Sequence, residues 1–185
     1  MTKHICHWRP VPVALSFVLL SAASPAQASR GGWDDASTIG RDVLVAAALI
    51  TPAVQGDWSG ELQAVGSLVV AGGTTKLLKE GFPERRPDGS DRKSFPSGHT
   101  SIAFAAAATL ENRYGWKAGL PALAVATFVG VGRIEAKRHH WYDTVAGASI
   151  GLASGFLLTR QRHPAVRLVP WGDSKGGGLA FSTRF

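Results

Sequence analysis

The sequence is poor in cysteine. Its 185 residues include one, Cys6, which lies in an N-terminal stretch typical of a cleaved leader. Once that stretch is removed, a disulfide, a thiolate nucleophile and a cysteine-ligated zinc or iron–sulfur site are all excluded. Charged residues make up 18% and hydrophobic residues 45%, which excludes a disordered tail and a highly charged coil. The sequence also lacks a short glycine period and longer internal repeats, which argues against collagen, solenoids and propellers.

The charge is strongly of one sign. The net charge is +7 and the isoelectric point is about 10.1. A basic protein favours an anionic partner, which can be a phosphate compound, an anionic lipid or a nucleic acid. Composition alone does not choose among these three classes.

The first 28 residues have the layout of a secretory signal peptide. A basic start is followed by a mostly apolar stretch over 11–23 and by a small-x-small site that ends at Ala28. The alternative is an uncleaved membrane anchor, but the apolar stretch is short for a span and contains Pro12. The sequence therefore predicts an exported protein in the periplasm, with the outer face of the inner membrane as one possible site.

The middle of the chain is predicted to be helical. Runs rich in Ala, Leu, Val and Gly have helix length and no strand-like alternation. Their uncharged stretches fall short of the ~20 apolar residues of a comfortable membrane span. We therefore predict a compact all-α bundle of about five to six helices, with short or shallow membrane spans as the alternative. The predicted helices cover 38–53, 60–79, 100–113, 117–132 and 142–160.

The C-terminal part changes character. Two short alternating runs flank a Gly-rich turn at 172–178, which predicts a β-hairpin. The predicted organisation is thus a signal peptide over 1–28, a helical domain over 29–163 and a hairpin extension over 164–185.

Polar residues collect in three places near predicted helix ends. Lys79 and Arg86 flank a loop, where the plain alternative is a pair of solvated cations. Ser97 and His99 stand at a helix start, where free N–H groups and the macrodipole favour phosphate, although a simple N-cap has the same pattern. In the third place lie Arg133 and a His–Asp pair, His139 and Asp143, four residues apart. If a helix begins there, the two share a face and the carboxylate can orient the imidazole; the alternative is a surface pair.

Together, the three clusters are far more specific than each alone. Lys79 with Arg86-Pro87, then Pro96-Ser97-Gly98-His99, then Arg133 with His139 and Asp143 resembles the type 2 phosphatidic acid phosphatase family. That family shares its helical-bundle fold with bacterial class A acid phosphatases and vanadium haloperoxidases. Two departures are visible: Gly132 stands where the family usually has Ser, and only 88–95 separate the first two motifs, which leaves little material for a lid.

The resemblance implies phosphoryl transfer through a phosphohistidine, with no metal or cofactor. His139 would attack phosphorus while Asp143 holds its other nitrogen, and His99 would protonate the leaving oxygen and then activate water. Fixed cations and N–H donors would stabilise the transferring group. The residues assigned to phosphate binding are Lys79, Arg86, Ser97, Gly98 and Arg133. A metal site would use Glu84, Asp88 and Asp91, but their spacing resembles no known metal motif.

The apolar helices and the basic charge favour a lipid phosphate at a membrane, such as phosphatidic acid, undecaprenyl pyrophosphate or lipid A. A soluble, non-specific acid phosphatase is the runner-up. A phosphate-headgroup binding module without turnover and a vanadate-dependent haloperoxidase are the rival readings of the same site. A nucleic-acid partner is not expected, because the cations lack interleaved aromatic residues and the chain is predicted to be exported.

Overall fold

The computed structural model describes residues 29–162, 166–173 and 176–183. The predicted signal peptide lies outside the described residues. All five predicted helices and the terminal hairpin are confirmed, and the division of the chain at 163 stays a prediction. In chain order the helices are α1 (Arg30–Val54), α2 (Trp58–Gly81), α3 (Gly98–Tyr114), α4 (Trp116–Glu135) and α5 (Trp141–Leu158), followed by strands β1 (Val166–Asp173) and β2 (Gly176–Thr183).

The first helix begins earlier than the predicted start at residue 38. Ser29 is its N-cap, and the Ser29 hydroxyl accepts a hydrogen bond from the Gly32 N–H at 3.1 Å. A capped start satisfies backbone donors that would otherwise lack partners. The additional turns carry Asp34 into the bundle, which matters for the site described below. At the other end of the chain, β1 and β2 pair antiparallel, with Val166 opposite Thr183.

Helix α3 is the centre of the bundle and packs against each of the other four helices. Its buried face consists largely of alanine, and Ala103 and Ala105 to Ala108 are fully inaccessible to solvent. Because alanine projects only one carbon, neighbouring helices approach α3 closely. A small-residue core of this kind fixes where the helix axes lie.

Helix α5 meets α3 through glycines spaced four residues apart, Gly147, Gly151 and Gly155, which therefore share one face. A Cβ atom added at Gly151 would lie 2.3 Å from the Ser101 carbonyl oxygen and 2.7 Å from the Ala105 nitrogen. Both atoms belong to the backbone of α3, so neither can move aside cheaply. Contact between α3 and α5 at this distance requires glycine.

The two ends of the bundle carry different chemistry. At one end α1, α3 and α5 begin and α2 and α4 end, and this end holds the polar motifs. At the opposite end a buried ion pair joins Arg113 of α3 to Asp57, the N-cap of α2, with Nη2 2.5 Å from Oδ1. Ser59 and Gln63 accept further hydrogen bonds from the same guanidinium. Since its donors are satisfied, this cluster is structural.

Large apolar side chains are exposed along the outside of the bundle. Ile50, Leu62 and Val69 are each more than half accessible, as are Trp58 at one end and Trp141 at the other. Helices α1 and α4 are long and apolar enough to cross a membrane by length and composition, and only 22% of the apolar segment of α1 is buried. An apolar surface of this extent is typical of contact with a membrane or a partner protein.

The glycine contact predicts a large stability effect from a small change. Gly151→Ala forces a methyl group against the α3 backbone, and we expect a loss of about 1–3 kcal/mol in the free energy of unfolding. Thermal unfolding in one detergent measures it. The matched control is Gly73→Ala. Gly73 lies on the exposed face of α2, away from the helix ends, and nothing lies within 4 Å of a Cβ added there. This substitution should raise the free energy of unfolding by about 0.5–1 kcal/mol. Equal effects from both substitutions would contradict the close packing of α3 on α5.

Candidate active site

All eight predicted site residues meet at one end of the bundle, and backbone hydrogen bonds tie their three segments together. The Ser97 N–H donates to the Asp143 carbonyl at 3.0 Å, which joins the second motif to the third. The Asp88 N–H donates to the Lys137 carbonyl at 3.0 Å, which joins the loop after the first motif to the third motif. These bonds fix the segments relative to one another without depending on the side chains that do chemistry.

His139 is held so that one ring nitrogen faces the protein interior. Its Nδ1 lies 2.8 Å from the Ser94 carbonyl oxygen, and the side chain is only 3% exposed. A carbonyl can only accept, so Nδ1 carries the proton and Nε2 carries the lone pair. No described residue hydrogen-bonds to that Nε2. The geometry therefore leaves a nucleophilic nitrogen free.

The electrostatics of the site keep this imidazole neutral. Burial lowers the pKa of His139 most, and the positive charges of Arg86, Lys79 and Arg133 lower it further. The interaction with Asp143 opposes these effects without cancelling them. A neutral imidazole is the form able to attack an electrophile.

The structure corrects the expected relation between His139 and Asp143. Helix α5 begins at Trp141 with His140 as its N-cap, so His139 precedes the helix and the pair does not share a helical face. The reason is a capping box, in which Asp143 Oδ2 accepts from the His140 N–H at 2.8 Å and so fixes the helix start. The distance from Asp143 Oδ2 to His139 Nδ1 is 3.7 Å, too long for a hydrogen bond.

Ser94 links the two residues, and the sequence analysis missed it. Its hydroxyl donates to Asp143 Oδ2 at 2.5 Å, while its carbonyl accepts from His139. Burial raises the pKa of the fully buried Asp143, but its contacts with His139, Ser94 and the His140 N–H outweigh that effect and lower the pKa overall. Ser94 carries no motif signal in the sequence, because its role depends on a backbone carbonyl that every residue has.

Lys79 positions the loop that carries Ser94. Its ammonium group donates to the carbonyls of Lys93 at 2.6 Å and Pro96 at 2.7 Å, and lies 3.4 Å from that of Ser94. Burial, followed by the charge of Arg86, lowers the pKa of Lys79 to about 8. Lys79 is thus not a solvated loop cation.

Arg86 and Arg133 are each paired with a carboxylate. Arg86 donates to Asp91 at 2.7 Å and to the Arg138 carbonyl at 3.2 Å. Arg133 is 4% exposed and pairs with Asp34 through Nη1, while its buried Nε has no hydrogen-bond partner in the part of the chain that the structure describes. Asp34, which also binds Arg138 at 2.7 Å, escaped the sequence analysis because the first helix was predicted to begin after it.

Ser97, Gly98 and His99 form the start of α3. Ser97 takes the N-cap position, one of the two uses that the sequence allowed, and its hydroxyl lies 2.9 Å from the Thr100 hydroxyl. Gly98 is the first residue of the helix, so its N–H lies at the positive end of the macrodipole. Both residues belong to a helix terminus suited to an anion.

His99 has neighbours that the sequence did not reveal. Its Nε2 lies 2.9 Å from Arg41 Nη1 and 3.2 Å from the Thr38 hydroxyl, and both residues belong to α1. A guanidinium only donates, so this Nε2 is an acceptor. Burial lowers the pKa of His99 to about 3, helped by the charges of Arg133, Arg41 and His139 and opposed by that of Asp34. The structure thus shows His99 as a proton acceptor at Nε2, which fits the expected activation of water and not the expected protonation of the leaving oxygen.

Gly132 has a physical explanation in the packing of α1. A Cβ atom at this position would lie 2.8 Å from the Ser37 Cβ, so a serine here would overlap with α1. The Ser37 hydroxyl itself lies 3.3 Å from Arg133 Nη1. Helix α1 therefore supplies a hydroxyl beside Arg133, where the resembled family carries one on the preceding residue.

The acidic residues near the site are largely engaged with cations. Asp91 binds Arg86, and Asp88 binds Arg138 at 3.2 Å. Among the described residues, Glu84, His140 and Asp143 place three ligand atoms within 4.8 Å of one another, a spacing that a metal ion can use. Asp143 Oδ2 accepts hydrogen bonds from the Ser94 hydroxyl and the His140 N–H, whereas Asp143 Oδ1 is buried and has no hydrogen-bond partner among the described residues.

Known proteins resemble this chain in sequence and fold. A family model described as the PAP2 superfamily matches residues 60–167. A lipid A 1-phosphatase of Porphyromonas gingivalis is 38% identical over 49% of this chain and 21% of its own length. A lipid A 4'-phosphatase of Helicobacter pylori is 34% identical over 57% of this chain and 58% of its own length. The chain therefore spans less than two thirds of either relative. The crystal structure of Aquifex aeolicus LpxE superimposes with a TM-score of 0.61 at 22% identity, covering 74% of this chain and 87% of that one.

The Gly132 contact predicts that introducing serine there is harmful. Gly132→Ser would push α1 away from Arg133, and we expect a free energy of unfolding about 1–3 kcal/mol lower. Adding Ser37→Gly removes the opposing Cβ and should restore part of the stability lost by the single variant. Thermal unfolding of the single and double variants measures the effect. A single variant as stable as the parent chain would contradict this account.

Proposed function

The chain belongs to the PAP2 superfamily, and we propose that it is a metal-independent phosphatase that removes phosphate from membrane lipids through a phosphohistidine intermediate. The observation that carries the proposal is the orientation of His139, whose Nδ1–H is held by a backbone carbonyl so that Nε2 keeps its lone pair. A fixed tautomer beside a cluster of cations is what attack on a phosphate ester needs.

In the first step His139 Nε2 forms a bond to phosphorus and the bond to the leaving oxygen breaks. Arg86 and Arg133, with the Gly98 N–H at the start of α3, surround the non-bridging oxygens and stabilise their charge. Lys79 adds a positive charge and holds the loop that orients His139. Asp143 stays ionised and supports the imidazolium charge that forms on His139.

In the second step water attacks the phosphohistidine, the P–N bond breaks and inorganic phosphate is released. His99 Nε2, an acceptor in the structure, takes the proton of the attacking water. An alcohol leaving group needs a proton on its departing oxygen. To donate that proton, His99 must first be protonated. The surroundings of His99 oppose that protonation, because burial and the neighbouring cations lower its pKa to about 3.

A membrane lipid is the substrate class that the surface favours. Exposed apolar side chains cover the bundle, and an apolar cleft of about 770 Å³ opens beside the site between Phe82, Phe95 and Tyr142. Two relatives are named lipid A phosphatases. The proposed location is a membrane surface on the exported side of the cell. A soluble phosphomonoester remains the second candidate substrate, with only the net charge in its favour.

The first test is phosphate release from phosphatidic acid in mixed micelles with excess EDTA. We expect release to persist in EDTA and to fall by about 10³-fold or more in His139→Ala, because the nucleophile is lost. His140→Ala is the matched control, since it removes the neighbouring imidazole and should stay far more active than His139→Ala. Activity that depends on added metal, or that survives in His139→Ala, would refute the mechanism. An aryl phosphate in the same assay tests the soluble alternative.

The pH dependence of kcat/KM follows from the two shifted pKa values. Activity needs neutral His139, whose pKa is lowered from 6.5, so the acid limb should lie below pH 6.5. Activity also needs charged Lys79, so it should fall as the pH rises through about 8. Lys79→Arg keeps the charge at any accessible pH and should remove the basic limb. A basic limb that is unchanged in Lys79→Arg would show that another group titrates there.

A further inference from the structure

Helix α1 reaches the site from outside the matched family region, which begins at residue 60. Its contribution includes a guanidinium, that of Arg41, which the proposed mechanism does not use. Arg41 is partly buried, with 26% of its side chain exposed, and its contacts are with Asp42 and His99. A partly buried arginine directed at a catalytic histidine calls for an explanation.

In the proposed mechanism, the contact with His99 puts Arg41 on the leaving-group side of the transferring phosphate. His139 attacks from one side, and the leaving oxygen departs on the opposite side, near His99. Arg41 Nη1 is 2.9 Å from His99 Nε2, the atom that would face that oxygen. Arg41 therefore lies within reach of whatever group is attached to the leaving oxygen.

Leaving groups differ in what they require. An alkoxide from a phosphomonoester is strongly basic and needs a proton as it departs. A phosphate from a phosphoanhydride has a second pKa of about 6 and departs as a stable anion, so it needs charge stabilisation and no proton. In the structure His99 Nε2 is an acceptor facing a guanidinium, an arrangement suited to the second kind of leaving group.

We propose that Arg41 binds an anionic leaving group and makes this enzyme prefer diphosphates over phosphomonoesters of neutral alcohols. The inference deepens the proposed function and rests on it for the identity of the reaction. The chemistry is that of the anhydride, whether it is carried by a lipid or by a soluble compound. Thr38, 3.2 Å from the same nitrogen, accompanies Arg41 on α1.

The reaction balances without an added proton donor. His139 Nε2 bonds to the terminal phosphorus, the anhydride P–O bond breaks, and its electron pair stays on the departing phosphate, which Arg41 binds. Movement of Arg41 toward that anion frees His99 Nε2 for the second step. Water then bonds to phosphorus, the P–N bond breaks, and the proton of the water passes to His99 Nε2.

The test compares matched substrate pairs in EDTA: farnesyl diphosphate with farnesyl phosphate in micelles, and ADP with AMP in solution. We expect the ratio of kcat/KM for diphosphate to monophosphate to fall at least tenfold in Arg41→Met, because a charge-assisted contact to the leaving phosphate is lost. Arg30→Met is the matched control, since Arg30 is an exposed arginine on the same helix, and its ratio should match that of the parent chain.

The two substrate pairs separate the sources of the diphosphate. A fall confined to the farnesyl pair supports a lipid diphosphate, and a fall in both pairs supports anhydrides in general. An equal loss for diphosphate and monophosphate in both pairs would overturn the proposal, because Arg41 would then serve the transferring phosphate or the fold. An unchanged ratio would overturn it as well.

A binding measurement keeps the inference independent of turnover. Calorimetry with inorganic diphosphate and inorganic phosphate should show that the parent chain binds diphosphate at least tenfold more tightly, and that Arg41→Met loses this difference. Equal affinity for the two anions in the parent chain would refute the role of Arg41. If the parent chain binds diphosphate more tightly than phosphate but hydrolyses none of the two farnesyl compounds, ADP and AMP, the proposed phosphatase function fails while the anion site stands.

Discussion

The hydrogen bond from His139 Nδ1 to the Ser94 carbonyl is the interaction on which the site depends. It fixes the tautomer, and through the tautomer it decides which nitrogen can react. Other features of the site maintain this bond. Lys79 holds the loop that presents the carbonyl, and the Ser94 hydroxyl ties the same residue to Asp143. Asp143 in turn sets the first residue of α5 and thereby places His139 in the loop just before that helix. The charge of the Asp143 carboxylate thus acts on His139, whose position is fixed by hydrogen bonds to backbone groups.

The bundle supplies the rigidity that this arrangement needs. Helices α3 and α5 carry the second motif and the end of the third, and they meet at backbone distance through glycine and alanine. The buried pair of Arg113 and Asp57 secures the far end of α3 against α2. The charged clusters thus lie at the two ends, while small residues, mainly alanine and glycine with a buried Ser67–Thr109 hydrogen bond, fill the space between them. That distribution matches a surface whose middle is apolar and whose reactive end faces polar solvent or lipid headgroups.

The sequence was sufficient for some of these features and insufficient for others. Helix positions followed from apolar runs and their punctuation by Gly and Pro, and the resemblance to a phosphatase family grouped Lys79, His99 and His139 into one site. Ser94 was missed because its carbonyl, rather than its residue type, orients the histidine. Asp34 and Arg41 were not recognised because they lie on α1, far along the chain from the motifs, and only tertiary packing brings them to Arg133 and His99. A shared helical face for His139 and Asp143 required a helix that contains both residues, but His140 is the N-cap of α5 and leaves His139 outside it.

Helix α1 contributes to the site from outside the residues that the family model matches, 60–167. It furnishes Ser37 beside Arg133, Asp34 between two arginines, and Arg41 beside His99. The nucleophile and the helices that hold it belong to the other part of the chain. With the role proposed for Arg41, substitutions in α1 would change the preferred leaving group while the nucleophile and the helices that hold it stay the same.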